Sequence, residues 1–267
     1  MTDPQLPPST PTVAAPAAPS RGPGVPGRVD LDRVLRAEYR LILRTICTPG
    51  RLIAIGALAG IALLTALIIR AGSPPDTLEA AVGFVNGNIA TLVPVAVLVF
   101  GAASLGDLID DGSMVYLWLR PVPTWLHVVA AWAATVTVAV PLVVVPVVAS
   151  AALIDASVEV LVAAAVGGLV AVAGYAGLFV TAGVRFRRAL PWGLVYILIW
   201  EGFVALAGKT ATKLALRSYV RSILSTMTDV DLKLADFSLV VGIVVPLLVA
   251  IVALAYASRR LARTDIA

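Results

Sequence analysis

Six long apolar segments occupy most of the chain, and they limit what it can fold into more than any other feature. Each is about as long as a helix must be to cross the roughly 30 Å hydrocarbon core of a bilayer. Apolar residues make up 60% of the 267-residue chain and charged residues 13%, which excludes an ordinary soluble enzyme, a disordered chain and a secreted disulfide scaffold. We therefore predict an all-α, polytopic integral membrane protein with six transmembrane helices, over residues 52–69, 84–105, 128–154, 161–184, 190–207 and 239–257.

Two segments of different character precede the first apolar segment. Residues 1–29 are rich in Pro and Ala and contain no apolar run of the kind that a signal peptide needs, so we expect a disordered cytoplasmic tail. In residues 30–48, apolar side chains recur near one helix face and arginines lie on the others. This pattern predicts an N-terminal amphipathic helix at the membrane interface, and residues 30–267 then form one membrane domain.

The distribution of Lys and Arg predicts how the bundle is oriented. Of the 20 basic residues, fourteen fall on the side of the termini and six on the other side, so the positive-inside rule places both termini in the cytoplasm. Five of the six lie in the last outer connection, residues 208–238, in which residues 209–227 have helical character. We expect a short helical hairpin or re-entrant element at the outer surface there. We attribute the net charge of +4 to basic residues that orient the protein in the membrane. We therefore expect no nucleic-acid partner.

The residues of common catalytic sites are largely missing. The chain has one cysteine, Cys47, and one histidine, His127, which lies near Trp125 at a membrane boundary and is expected to face lipid headgroups. The stretch Gly208-Lys209-Thr210 resembles the end of a phosphate-binding loop, but the earlier glycine, Gly202, is one residue too far away. We therefore predict no catalytic residue, no metal and no ATPase site in this chain.

The loop between the second and third apolar segments has the most specific sequence in the chain. Three carboxylates precede Gly112, which allows a turn, and a short apolar stretch then runs to Arg120-Pro121. Such an element on the cytoplasmic side can offer acidic and apolar contacts to a soluble protein. The loop resembles that of the membrane permeases of the type-2 ABC exporter family. The matching residues are Asp107, Asp111, Gly112, Ser113, Met114, Leu117, Leu119, Arg120, Pro121 and Val122.

The resemblance covers about residues 30–262, because the six spans, the cytoplasmic termini, the amphipathic helix and the outer element are also similar to the family. It implies a permease of the bacterial plasma membrane that pairs with a second copy, as a homodimer, and carries two copies of a separate ABC ATP-binding subunit. That subunit would bind ATP and Mg, and this chain would hold no cofactor. The implied ATPase-coupling loop consists of Asp107, Asp110, Asp111, Gly112, Ser113, Met114, Arg120 and Pro121. The implied second cytoplasmic contact consists of Arg185, Arg187 and Arg188.

Glu201 is an ionisable residue inside the fifth apolar segment. Placing a charge in the bilayer costs about 2.5–3.5 kcal/mol on insertion scales, so its side chain should face the bundle interior or a polar cavity. Two interpretations are open: a residue of the translocation path or of a gate, and a structural ion pair with Lys209 or Arg70.

Two other functions also fit the sequence. One is a membrane-embedded, Mg-dependent lipid-modifying transferase that uses Asp107, Asp110 and Asp111. The other is a secondary transporter that couples transport to protons through Glu201. An ATP-driven exporter, a lipid-modifying enzyme and a proton-coupled transporter would differ in whether they need a separate ATPase, a divalent metal or a proton gradient.

Overall fold

The computed structural model describes residues 31–112, 122–203, 212–232 and 237–263, and within these ranges the secondary structure is entirely helical. We number the helices in chain order. They are α1 (Leu31–Ile46), α2 (Pro49–Ala71), α3 (Thr77–Asp110), α4 (Thr124–Ile154), α5 (Val158–Arg185), α6 (Ala189–Gly202), α7 (Leu216–Thr228) and α8 (Leu239–Ala262).

Five of the described helices, α2, α3, α4, α5 and α8, are long and apolar enough to cross a membrane. They coincide with five of the six predicted spans, so the prediction of a helical, multi-span membrane architecture is confirmed. The remaining predicted span, residues 190–207, corresponds to α6, which is shorter than a membrane crossing requires. Residues 204–211 lie outside the described residues.

The helix ends follow local sequence signals. Pro49 opens α2 after a short break at Cys47 and Thr48, because proline is tolerated in the first turn of a helix, where no backbone donor is needed. The Asp76 carboxylate caps α3 by accepting a hydrogen bond from the Glu79 backbone N–H at 2.9 Å. Gly112 follows the last turn of α3 with φ at +70°, a left-handed conformation that glycine adopts without strain.

Contacts between helix ends show which termini lie together. The Arg51 guanidinium at the start of α2 pairs with Asp107 near the end of α3 at 2.7 Å, and the Thr124 hydroxyl at the start of α4 donates to the Ser258 carbonyl of α8. At the other end of the bundle, the Thr77 hydroxyl donates to the Asp155 carboxylate at 2.9 Å. We call the end of the bundle with the Arg51–Asp107 pair the basic end. It carries the exposed residues Arg185, Arg187, Arg188, Arg259, Arg260 and Arg263.

Small residues of α5 allow its backbone to approach those of α3 and α8. A Cβ atom placed on Gly183 would lie 2.5 Å from the Ala102 carbonyl oxygen, and one on Gly177 would lie 2.6 Å from the Ala250 Cα. These distances are too short for any side chain, so α5 forms the tightly packed centre of the bundle.

Helix α1 packs against α3 and α4 through one face. Glu38, Ile42 and Ile46, spaced four residues apart, are buried, whereas Leu31 and Leu41 are exposed. The helix predicted for this segment is therefore present over Leu31–Ile46, and its position at a membrane interface stays a prediction.

Helix α7 lies in the segment for which an outer helical element was expected, but it packs inside the bundle rather than on its surface. Its Val220 and Leu224 side chains contact α5 at Gly167, and its Leu216 contacts α5 at Gly174. Helix α7 therefore starts beside the middle of α5 and runs towards the end opposite the basic end. The burial of its apolar face explains why this charged segment is helical: tertiary packing stabilises a short helix that would be marginal alone.

Candidate functional site

Helices α6 and α7 lie end to end along α5 and meet at Glu201. The Trp192 ring of α6 stacks on Phe186 at the basic end of α5, with 5.7 Å between ring centroids. One turn further, the Tyr196 ring packs edge-on against Phe179 at 6.2 Å. The last part of α6 belongs to the π-helical segment Tyr196–Phe203, a form that is frequent at functional sites. The two helices thus run as two halves of one path through the bundle, and the non-helical residues 213–215 form a break before α7.

The Glu201 carboxylate caps α7 across this break. The residue is only 1% exposed, and its Oε1 accepts hydrogen bonds from the Leu216 backbone N–H at 3.0 Å and from the Tyr196 hydroxyl at 2.9 Å. Its Oε2 accepts from the Arg217 backbone N–H at 3.2 Å, while the Arg217 guanidinium donates to the Glu201 carbonyl oxygen at 2.7 Å. The first backbone N–H groups of a helix have no partner within it and carry partial positive charge, so a carboxylate there satisfies and neutralises them.

Further polar side chains surround this capped break. Tyr175 of α5 is fully buried, and its side chain lies near the Glu201 carboxylate. One turn along α7 from Arg217, the Arg221 side chain is 8% exposed and donates to the Asn86 side chain of α3 at 3.3 Å. The interior of this apolar bundle therefore contains a connected polar region that reaches from α5 to α3.

The sequence predicted that Glu201 faces the bundle interior, and the structure confirms this. Its carboxylate binds backbone N–H groups and Tyr196 rather than the expected cations: Arg70 forms no ion pair with it in the described part of the chain, and Lys209 lies outside the described residues. Ala215, the residue before α7, cannot cap the helix with its own side chain, so the acceptor comes from another part of the chain. A role of Glu201 in a translocation path or gate stays a prediction.

A cleft at the basic end brings together the two regions predicted to contact a soluble protein. Asp107 and Asp110 from the end of α3 line it together with Arg188 and the first residues of α6. Asp110, Asp111 and Gly112 are exposed, and so are Arg185 and Arg187. The other predicted members of the coupling loop, Ser113, Met114, Arg120 and Pro121, lie outside the described residues.

The three carboxylates at the end of α3 lie in different surroundings. Asp107 pairs with Arg51, whereas Asp110 and Asp111 extend into solvent. Across the described ranges, no three His, Cys, Asp or Glu side chains are placed to hold a metal ion. The lipid-modifying transferase, which would need these residues to converge on Mg²⁺, stays a prediction.

His127 is not at the headgroup surface, and that prediction is wrong. The side chain is 1% exposed, and its Nδ1 lies 2.9 Å from the Glu38 Oε2, between α4 and α1. The other carboxylate oxygen of Glu38 is buried without a hydrogen-bond partner among the described residues. The sequence signal was the position of Glu38, which falls on the same helix face as the apolar Ile42 and Ile46.

No family model, curated protein or solved structure matches this chain. The function must therefore be inferred from its own residues. The two informative features are the exposed charged cleft at the basic end and the buried break at Glu201.

Proposed function

We propose that this chain is the transmembrane permease subunit of an ATP-driven ABC exporter. It forms the translocation pathway as a dimer and is coupled to a separate ATP-binding protein. The observation that carries the proposal is the cleft at the basic end. There Asp107 and Asp110, from one connection between helices, meet Arg188, from another. Two regions that the resemblance assigns to the same docking function share one exposed surface.

The break at Glu201 supports transport rather than enzyme catalysis. Transporters commonly build their pathways from discontinuous helices, in which the N-terminus of a half-helix points at an anionic group within the membrane. Here α7 is the half-helix, and the anionic group is the Glu201 carboxylate. A break of this kind is costly in a membrane unless its backbone groups are satisfied, which favours a functional reason for it.

The pair α6 and α7 completes the proposed topology. Counted together as one discontinuous crossing, they bring the number of membrane crossings from five to six. With six crossings, both termini lie on one side, and the positive-inside rule assigns the basic end to the cytoplasm of a bacterial plasma membrane. The exposed Leu31 and Leu41 of α1 would then lie in the cytoplasmic interface.

Coupling would act through the basic end. The partner would bind ATP and Mg and close on ATP binding, and that motion would be passed to the end of α3 and to α1, which both contact α4. Gly112 is suited to this position, because glycine adopts the left-handed backbone found at the end of α3 without strain.

Affinity purification from membranes of the native host in mild detergent tests the proposal. We expect a soluble ATP-binding protein to co-purify in equal amount, and we expect the double reversal Asp110→Lys with Asp111→Lys to reduce its recovery at least tenfold. Glu159→Lys is the matched control, since Glu159 is an exposed carboxylate at the opposite end. Absence of such a partner, or equal recovery with the double reversal, would refute the proposal.

Changes within the coupling loop should separate transport from assembly. Asp111→Asn and Gly112→Ala are expected to leave membrane insertion intact but to lower ATP-dependent transport, because Asp111 is exposed and alanine is strained at the φ of Gly112. Full transport activity in both variants would assign the coupling role to other residues.

A second candidate is a proton-coupled secondary transporter, and the burial of Glu201 beside Tyr196 and Tyr175 is the observation that favours it. Such a protein would transport without any ATPase, driven by a proton gradient, and Glu201→Gln would abolish transport. Transport by the purified chain alone in liposomes with an imposed pH gradient would favour this candidate over the exporter.

A further inference from the structure

A groove between α4 and α8 opens sideways from the bundle and ends at the basic end. Its apolar walls include Trp125 and Val128 of α4 and Ile251 and Leu254 of α8, and Arg259 lies at its mouth. Trp125 is 49% exposed and Ile251 61% exposed, so the groove faces outward, where hydrocarbon chains surround a membrane protein.

A polar cleft continues from the mouth of this groove. It is lined by Tyr256 together with Arg259, Arg260 and Arg263, so Arg259 belongs to both the groove and the cleft. Arg259 lies in the last turn of α8, and Arg263 follows the last residue of the helix, so both side chains leave the same end of α8. The phosphate contacts are assigned to Arg259 and Arg263, because Arg259 belongs to both openings and Arg263 lies one turn beyond it.

We propose that this groove binds one anionic phospholipid from the leaflet at the basic end. Its phosphate contacts Arg259 and Arg263, and one acyl chain lies along the groove between α4 and α8. The occupant is identified by charge complementarity: an apolar channel that ends in two exposed arginines matches a molecule with a hydrocarbon chain and a negative headgroup. Trp125 supports the assignment, since an indole with one polar edge is suited to the level of the headgroups.

This site requires only that the helices lie in a bilayer, and it is independent of the partner that supplies energy. The lipid would lie across α4 and α8 beside the Thr124–Ser258 hydrogen bond, 3.3 Å long, which joins the two helices at the basic end. It would therefore stabilise the basic end, on which the coupling cleft is also built.

Lipid retention measured by native mass spectrometry tests the proposal. The full-length protein is purified in mild detergent and titrated with phosphatidylglycerol or with phosphatidylcholine of the same acyl chains. We expect one phosphatidylglycerol to be retained in preference to phosphatidylcholine. Each arginine near a membrane surface strengthens anionic-lipid binding roughly fivefold, so Arg259→Gln with Arg263→Gln should weaken phosphatidylglycerol binding about 25-fold.

The matched control is Arg187→Gln with Arg188→Gln. It removes the same charge from the same end, but Arg188 lines the separate cleft with Asp107 and Asp110. Unchanged phosphatidylglycerol binding is expected in this control. An equal loss in the control would show a diffuse charge effect and would overturn the site.

Ala255→Trp tests the groove itself, because the larger side chain fills the groove beside Leu254. We expect this variant to lose phosphatidylglycerol binding while Arg259 and Arg263 remain, and we expect soluble glycerol phosphate to compete poorly. Normal lipid binding by Ala255→Trp, effective competition by glycerol phosphate, or a lipid-insensitive contact of this groove with a second copy of the chain would each overturn the proposal. If Ala255→Trp fails to fold, the arginine variants still decide it.

Discussion

Glu38 and Glu201 are both buried carboxylates, but the groups that bind them differ. Glu38 pairs with a side chain, His127, at the interface of α1 and α4, and one of its oxygens has no partner among the described residues. Glu201 binds the backbone N–H groups of Leu216 and Arg217. The Tyr196 hydroxyl donates to the same carboxylate oxygen as the Leu216 N–H.

The two carboxylates differ in whether substitution can remove the groups that bind them. A pair of side chains can be replaced together by two apolar residues. The double replacement leaves no charge to bury, so the desolvation cost of both charges is removed. A change of side chain at 216 or 217 leaves the backbone N–H in place, proline excepted, so the start of α7 keeps a requirement for an acceptor whatever residue stands at 201. Glu201 is therefore fixed by the helix break, whereas Glu38 is fixed only by His127.

The largest effect is expected for Glu201→Ala. It leaves two buried backbone donors unsatisfied, each worth about 1–3 kcal/mol, so we expect the free energy of unfolding to fall by about 3 kcal/mol. Thermal unfolding in detergent measures this. Glu201→Gln keeps an acceptor and should cost less, and the exposed Glu159→Ala should change little. A small effect of Glu201→Ala would show that the cap is not needed.

The second effect concerns the Glu38–His127 pair. Glu38→Leu and His127→Leu should each destabilise the protein by about 2 kcal/mol, since each leaves one buried polar partner behind. The double variant should recover most of that loss. Unfolding of all four proteins gives a double-mutant cycle. Strictly additive losses would contradict the contrast with Glu201, which binds backbone donors rather than a single side chain.

A smaller effect is expected for the ion pair between Arg51 and Asp107 at the basic end. Its side chains are 25% and 38% exposed, so solvent competes with the pair. Arg51→Ala should therefore cost less than about 1 kcal/mol in thermal unfolding. A loss as large as that of Glu201→Ala would mean that burial does not decide the strength of these carboxylate contacts.

The smallest effect is a pH dependence at Asp155, which is partly exposed and accepts a 2.8 Å hydrogen bond from the Ser157 backbone N–H. That bond, with help from the Thr77 hydroxyl, lowers the pKa of the Asp155 carboxyl below its ordinary value of 3.8. The stabilisation is complete above the ordinary value and is lost as the pH falls through the lowered pKa.

The test compares wild type with Asp155→Asn in thermal unfolding between about pH 3 and pH 6. Wild type should be more stable at the upper end, by less than about 1 kcal/mol, and the difference should shrink towards the lower end. A difference that grows on acidification would reverse the sign of the predicted shift.

The sequence was sufficient for the long helices and for the end of α3. Runs of apolar residues predicted α2, α3, α4, α5 and α8, because length and hydropathy alone decide whether a helix can cross a bilayer. Gly112 was predicted as a turn and adopts φ +70°, since no other residue is unstrained there.

The contacts of the buried charges could not be read from the sequence. His127 was placed at the headgroups because its partner Glu38 is 89 positions away, and nothing local indicates that α1 packs on α4. The cap of α7 was missed for the same reason: Glu201 and Leu216 are separated by 15 positions that give no sign of a return to the middle of α5. Long-range packing, rather than local propensity, determines both.

The energy source is tested most directly in liposomes that contain this chain together with the ATP-binding protein that co-purifies with it. We predict hydrolysis of Mg-ATP that requires both proteins, persists when a protonophore removes the proton gradient, and falls at least tenfold with Asp110→Lys and Asp111→Lys. Hydrolysis that is the same without this chain, or transport by this chain alone driven by a proton gradient, would contradict the proposal that it is the permease of an ATP-driven exporter.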